Sequence, residues 1–218
     1  MDSPTAWNIN DERNLLRLNE DKHIVTYTGL GEIEDCAAIR TNYPIPDQCG
    51  LFYFEVDIID KGKNGEIGIG FCTRAACLNQ MPGWEDISWG YHGDDGNIFN
   101  AGSEKLYGPT FMTGDTIGCC LNFRNNTVFY TRNGVNLGIA FQDLKNALYP
   151  CVGMLSPGGS IGANFGYRKF KYTGEYRQAI ADLIKLREFE ANNTFALRYQ
   201  EEIYCNGKYN SLLIISII

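Results

Sequence analysis

The dipeptide Asn133-Gly134, set between VFYTR and VNLGIAF, is the strongest constraint in this sequence. A two-residue type I′ turn needs positive φ at both central positions, and Asn-Gly is the pair that meets this need most readily. The flanking runs are rich in β-branched and aromatic residues, so they read as two antiparallel strands joined by a tight hairpin. An isolated ribbon of this kind is marginal in water, and the chain must supply further strands to cover it.

Those strands are legible on both sides. Residues 23–28 (HIVTYT) and 51–60 (LFYFEVDIID) alternate apolar and polar positions at strand period, with Glu55 and Asp57 of the second run expected to face out. Residues 66–72 (EIGIGFC) read as the antiparallel neighbour of 51–60 across the turn KGKNG. Gly68 and Gly70 would share a face there, and small residues on one face permit close approach by another layer. Residues 37–42, 115–123, 127–131, 148–155 and 160–165 bring the total to about ten or eleven strands, which implies an all-β, two-layer sandwich.

Residues 7–18 are expected to open as an ordered arm, and Pro44 and Pro46 hold an extended path. After residue 174 the period changes. Tyr176, Ile180, Leu183, Ile184 and Arg187 recur at helical spacing, which predicts an amphipathic helix over 176–191. The expected division is a sandwich domain with its arm over 1–174 and a helical tail over 175–218. The last residues, NGKYNSLLIISII, lack polar periodicity and read as a truncated or alternatively spliced end, or as a fragment of a longer chain.

Composition narrows the function classes. Nineteen basic residues against 26 acidic ones give a net charge of -7, which repels phosphate backbones, so nucleic acid is not an expected partner. The eight cysteines form no CxxC and read as reduced, buried, small apolar residues. The opening MDSPTAWNINDERN has no apolar central region of a secretory leader, and the apolar run 212–218 is far short of the ~20 residues of a membrane span. A cytoplasmic or nuclear setting without a membrane is the expectation.

The stretch 82–99, PGWEDISWGYHGDDGNIF, is the candidate functional region. HGDDGN offers His92, Asp94, Asp95 and Asn97 as donors, but adjacent acids do not alternate as calcium-loop ligands do, and a turn fits better. Cys72 or Cys119 with His92 as base would make a hydrolase, yet both thiols sit in apolar strands where burial opposes the thiolate. EIGIGFC lacks the third glycine and helix of a phosphate loop. Neither metal nor cofactor is expected. Recognition remains, with Trp84, Trp89, Tyr91, Tyr107 and Pro109 crowded in one region. Trp89 and Tyr91 read as structural, whereas Trp84, following a Pro-Gly turn, is expected to be exposed. A sugar-binding sandwich would also use exposed aromatics.

Several long segments then match in order: AIRTNYPIPDQCGLFYFEVDIIDKGKNGEIGIGF, MPGWEDISWGYHGDDGNIF, YGPTFMTGDTIGCCLNFRNNTVFYTRNGVNLGIAF, and LYPCVGM with ANFG. From about residue 7 to 172 the chain resembles the SPRY (B30.2-type) domain of the RanBPM group of Ran-binding proteins. The resemblance implies a bent antiparallel β-sandwich with no catalysis, acting as a protein-interaction module that grips a peptide with loops at one end.

Carried over by position, the gripping loops are 29–35, 81–84 and 156–158. The candidate partner-binding residues are therefore Leu30, Gly31, Glu32, Met81, Pro82, Gly83, Trp84, Ser156, Pro157 and Gly158. Peptide-binding relatives place a Trp-Gly pair where this chain has Ser156 and Pro157, so their peptide motif does not transfer. The resemblance also implies subunits or substrates of a GID/CTLH ubiquitin ligase as partners, with the chain as an adaptor of such a scaffold. The alternative is a stand-alone effector without the LisH, CTLH and CRA regions, for which no motif is read in this sequence.

Overall fold

The computed structural model describes residues 2–11, 14–46 and 49–172. The expected helix 176–191, with the tail 175–218, lies outside the described residues. In chain order the strands begin with β1 (Leu16–Leu18), β2 (Ile24–Tyr27), β3 (Ala37–Arg40), β4 (Leu51–Asp60) and β5 (Ile67–Cys72). There follow β6 (Ser88–His92), β7 (Asn97–Asn100), β8 (Ser103–Leu106) and β9 (Thr116–Asn122). The last are β10 (Thr127–Arg132), β11 (Val135–Gln142), β12 (Tyr149–Met154) and β13 (Ser160–Asn164).

They form a seven-stranded sheet, β1-β2-β13-β4-β9-β10-β11, and a six-stranded sheet, β3-β12-β5-β6-β7-β8. Every ladder is antiparallel. The two-layer β-sandwich is the architecture expected from the glycine-punctuated strands. Its inner faces carry Phe52, Phe54, Val56 and Ile58 from β4 and Ile67, Ile69 and Phe71 from β5, all buried in one core. Phe54 meets Phe71 edge-on across the layers, with ring centroids 5.8 Å apart. Full burial of such side chains is worth about 1.5–3 kcal/mol each.

The Asn133-Gly134 hairpin is present. Arg132 pairs with Val135, and the two turn residues have φ of 52° and 83°. The neighbouring expectation fails: β4 and β5 do not pair. β4 lies between β13 and β9, β5 between β12 and β6, and KGKNG carries the chain from one sheet to the other. Both strands own a fully apolar face, and stacking those faces buries Phe54 on Phe71, which a hairpin in one sheet would not do. The arm is built into the body. β1 pairs with β2, and Trp7 is buried with its indole N–H donated to the His23 carbonyl at 3.2 Å.

Glu55 corrects a second expectation. It does project from the outer face of the seven-stranded sheet, but residues 165–172 fold back over that face as a strap and bury it completely. Glu55 Oε1 accepts hydrogen bonds from the Tyr53 hydroxyl at 3.0 Å and from the backbone N–H groups of Lys171 and Tyr172 at 2.7 and 3.1 Å. Phe170 and Tyr172 pack on the Tyr53 ring, and Arg168 forms an ion pair with Asp57. Alternation alone exposes Glu55, whereas a segment more than a hundred residues later covers it.

Burial pushes the Glu55 carboxyl above its ordinary value, against the pull of its three donors. A raised folded-state value means that its stabilising contribution is fully present below the unfolded value and is lost as pH rises through the raised one. Glu55→Ala, which strands the backbone N–H groups of Lys171 and Tyr172, is expected to lower unfolding free energy by about 2–4 kcal/mol in urea titration. It should also remove that part of the pH dependence that weakens the wild type as pH rises above the ordinary glutamate range.

Candidate functional site

The outer face of the six-stranded sheet is floored with glycine where β12, β5 and β6 run side by side. Gly153 pairs with Gly68, and Gly68 with His92. A Cβ on Gly153 would lie 2.5 Å from Pro82 Cδ, and one on Gly90 would lie 2.2 Å from the Pro82 carbonyl oxygen. A Cβ on Gly68 would meet Met81 Cε at 3.0 Å. The segment 81–82 can therefore lie flat on the sheet only because these positions lack side chains. This is the layer for which Gly68 leaves room.

Polar groups then hold the segment in place. His92 Nε2 donates to the Pro82 carbonyl at 2.8 Å while its ring stacks on Phe99, centroids 4.1 Å apart. Ser88 Oγ accepts from Gly83 N–H at 2.8 Å, and Trp84 N–H closes the turn onto the Met81 carbonyl at 3.1 Å. Gly83 has φ of 95°, and a Cβ there would sit 2.2 Å from the Phe99 carbonyl oxygen, so glycine is required. Burial lowers the His92 pKa, which keeps the imidazole neutral and its Nε2–H committed to Pro82.

The other two loops converge on this turn. In 29–35 the Tyr27 hydroxyl donates to the Asp35 carbonyl at 3.0 Å, and Asp35 Oδ2 accepts from Leu30 N–H at 3.1 Å, which braces a short 3-10 turn, Ile33–Asp35. Gly31, with φ of 88°, packs so closely that a Cβ would lie 2.8 Å from the Pro157 ring. Beyond the loop, Cys36 forms a small buried cluster with Met81 and Leu155, against which Trp84 packs. The loops 29–35, 81–84 and 156–158 thus meet at one place.

Within it the ten candidate residues divide. Leu30 is 83% exposed, Glu32 and Gly158 are exposed, and Gly31, Trp84 and Pro157 are half-buried. Trp84 is therefore less open than its Pro-Gly context suggests, because Cys36, Met81 and Leu155 take one side of the ring. Met81, Pro82, Gly83 and Ser156 are buried and position the others. Ser156 Oγ accepts from the N–H groups of Asn64 and Gly65, both at 3.0 Å, and donates to the Lys61 carbonyl at 2.9 Å.

Ile33, 66% exposed beside Leu30, is an apolar contact that was not singled out from the sequence. Its signal was available: a lone isoleucine among acids in GLGEIEDC has no strand to bury it.

The same geometry bears on chemistry. His92 is spent on Pro82, and Cys119 is fully buried in the opposite sheet's core with its thiol pushed well up by that burial. HGDDGN is the β6–β7 turn, in which Asp95 Oδ1 accepts from Asn97 N–H at 2.8 Å and Gly96 has φ of 77°.

Comparison with known proteins places this arrangement. The SPRY domain family model matches residues 51–168. A Drosophila melanogaster protein named Ran-binding proteins 9/10 homolog is 51% identical over 184 residues, covering 84% of this chain and 19% of its own length. Human Ran-binding protein 9 is 47% identical over 171 residues, covering 78% of this chain and 24% of that protein. This chain thus spans about a fifth to a quarter of those relatives, at 19% and 24%. A crystal structure of a human SPRY domain superposes with a TM-score of 0.61 at 28% identity, over 69% of this chain and 95% of that one.

Filling the glycine floor tests the support. Gly153→Ala is expected to displace residues 81–82 and destabilise the fold by about 1–3 kcal/mol, as overpacking does. Urea titration followed by tryptophan fluorescence checks it, with Trp84 reporting the displacement.

Proposed function

The chain belongs to the SPRY domain family, and from that premise we propose that it is a non-enzymatic protein-interaction module gripping a peptide segment of a partner with loops 29–35, 81–84 and 156–158. One observation carries the reading: three loops braced from beneath converge on a single spot and leave Leu30 and Ile33, two large apolar side chains, in solvent. Side chains presented on rigid loops are the usual material of recognition, because little ordering entropy remains to be lost on binding. Trp84 supplies the anchor, half-buried against its own domain and free on its other side.

Within that role the chain serves as the SPRY adaptor of a RanBPM-type GID/CTLH ubiquitin-ligase scaffold, in the cytoplasm or nucleus. Identity to Ran-binding proteins 9 and 10 over most of this chain supports the placement. Affinity capture from source cells followed by mass spectrometry tests it. Recovery of GID/CTLH subunits supports the scaffold role, and capture of other proteins without them moves the chain to a stand-alone effector.

The same captures test the surface. A folded Trp84→Ala plus Pro157→Asp variant is expected to lose partner binding on the order of 30-fold, corresponding to about 2 kcal/mol for a central aromatic anchor. Undiminished binding by that variant, with an unchanged circular dichroism spectrum, would remove these loops from the interface.

A further inference from the structure

Two of the three loops carry charge of one sign. Residues 29–35 and 81–87 contain Glu32, Glu34, Asp35, Glu85 and Asp86 and neither lysine nor arginine. Asp35 braces its own loop and Glu85 Oε1 accepts from Cys77 N–H at 2.6 Å. The side chains of Glu32, Glu34 and Asp86 are exposed and have no ion-pair partner among the described residues. Lys61 and Lys63 adjoin the surface only through the loop that Ser156 ties down, where Lys63 N–H donates to the Pro157 carbonyl at 3.0 Å.

An acidic peptide would meet uncompensated like charge on two of the three loops. A basic one would find unpaired carboxylates on those same two segments.

We propose that this surface takes an extended basic peptide, in which one large apolar side chain seats against Leu30, Ile33 and Trp84 while flanking lysines or arginines pair with Glu32, Glu34 and Asp86. The inference rests on the peptide-gripping role of the same loops and adds the chemistry of the partner. Exposed ion pairs contribute little to affinity singly, but a complementary rim speeds encounter and rejects like-charged competitors, and it does so less as salt screens it.

The test uses the full chain and fluorescein-labelled peptides of three series, Lys-Arg-X-Lys-Arg, Ser-Ser-X-Ser-Ser and Glu-Asp-X-Glu-Asp, with X as Leu, Phe or Trp. Fluorescence anisotropy is expected to show the basic series binding about 10-fold tighter than the serine series at low salt, with the advantage fading by about 0.5 M salt. Glu32→Lys plus Glu34→Lys should transfer the preference toward the acidic series. Equal affinity for basic and serine peptides, or a basic preference that survives the charge reversal, overturns the inference. If Leu30→Asp plus Ile33→Asp still abolishes binding in that case, the loop surface stands and only its charge preference falls. If no series binds, or if that apolar double variant binds all three as the wild type does, the inference and the loop surface fall together.

Discussion

A single buried hydroxyl joins two of the six places where the chain passes from one sheet to the other. The path from β4 to β5 crosses through residues 61–66, the path from β12 to β13 crosses through 155–159, and Ser156 Oγ bonds to Lys61, Asn64 and Gly65 between them. Crossings of this kind leave backbone groups outside any ladder, where an unpaired buried donor or acceptor costs about 1–3 kcal/mol. The packing is close enough that a Cβ on Gly62 would lie 2.6 Å from the same oxygen. Pro157 rests on this junction and Gly31 rests on Pro157, so loops 29–35 and 156–158 inherit their positions from it.

Support and presentation are divided among different residues as a result. Met81, Pro82, Gly83 and Ser156 are buried, and the glycine rows and His92 fix them from beneath. Leu30, Glu32 and Ile33 stand in solvent on a loop braced by Tyr27 and Asp35. A rigid base with exposed contacts costs little entropy when a partner arrives. Substitutions on the two sets differ in kind, since those in the base act through folding and those on the rim leave the packing beneath them intact.

How much of this could be read in advance follows from how local each cause is. The Asn133-Gly134 turn is set by the φ demands of two adjacent residues, so it was legible. Whether β4 and β5 pair or stack depends on which other strands lie between them, and five residues of KGKNG do not carry that information. β7 and β8 are short and largely polar, with the single buried residue Ile98 in β7, so no alternation announces them. Glu55 looked exposed because its cover arrives from residues 165–172. At the site, family resemblance indicated the loops, but the split between buried and presented residues depends on glycines from three strands coming into register.

The strap over Glu55 also fixes the position of Tyr172. Tyr172 is fixed on the outer face of the seven-stranded sheet, packed on Tyr53 and Phe129, with the Lys171 carbonyl set against the Asn133-Gly134 turn. The 81–84 turn stands on the outer face of the other sheet. A ligand held at that turn would therefore lie across the sandwich from Tyr172, with two layers of sheet between them, themselves ~10 Å centre to centre.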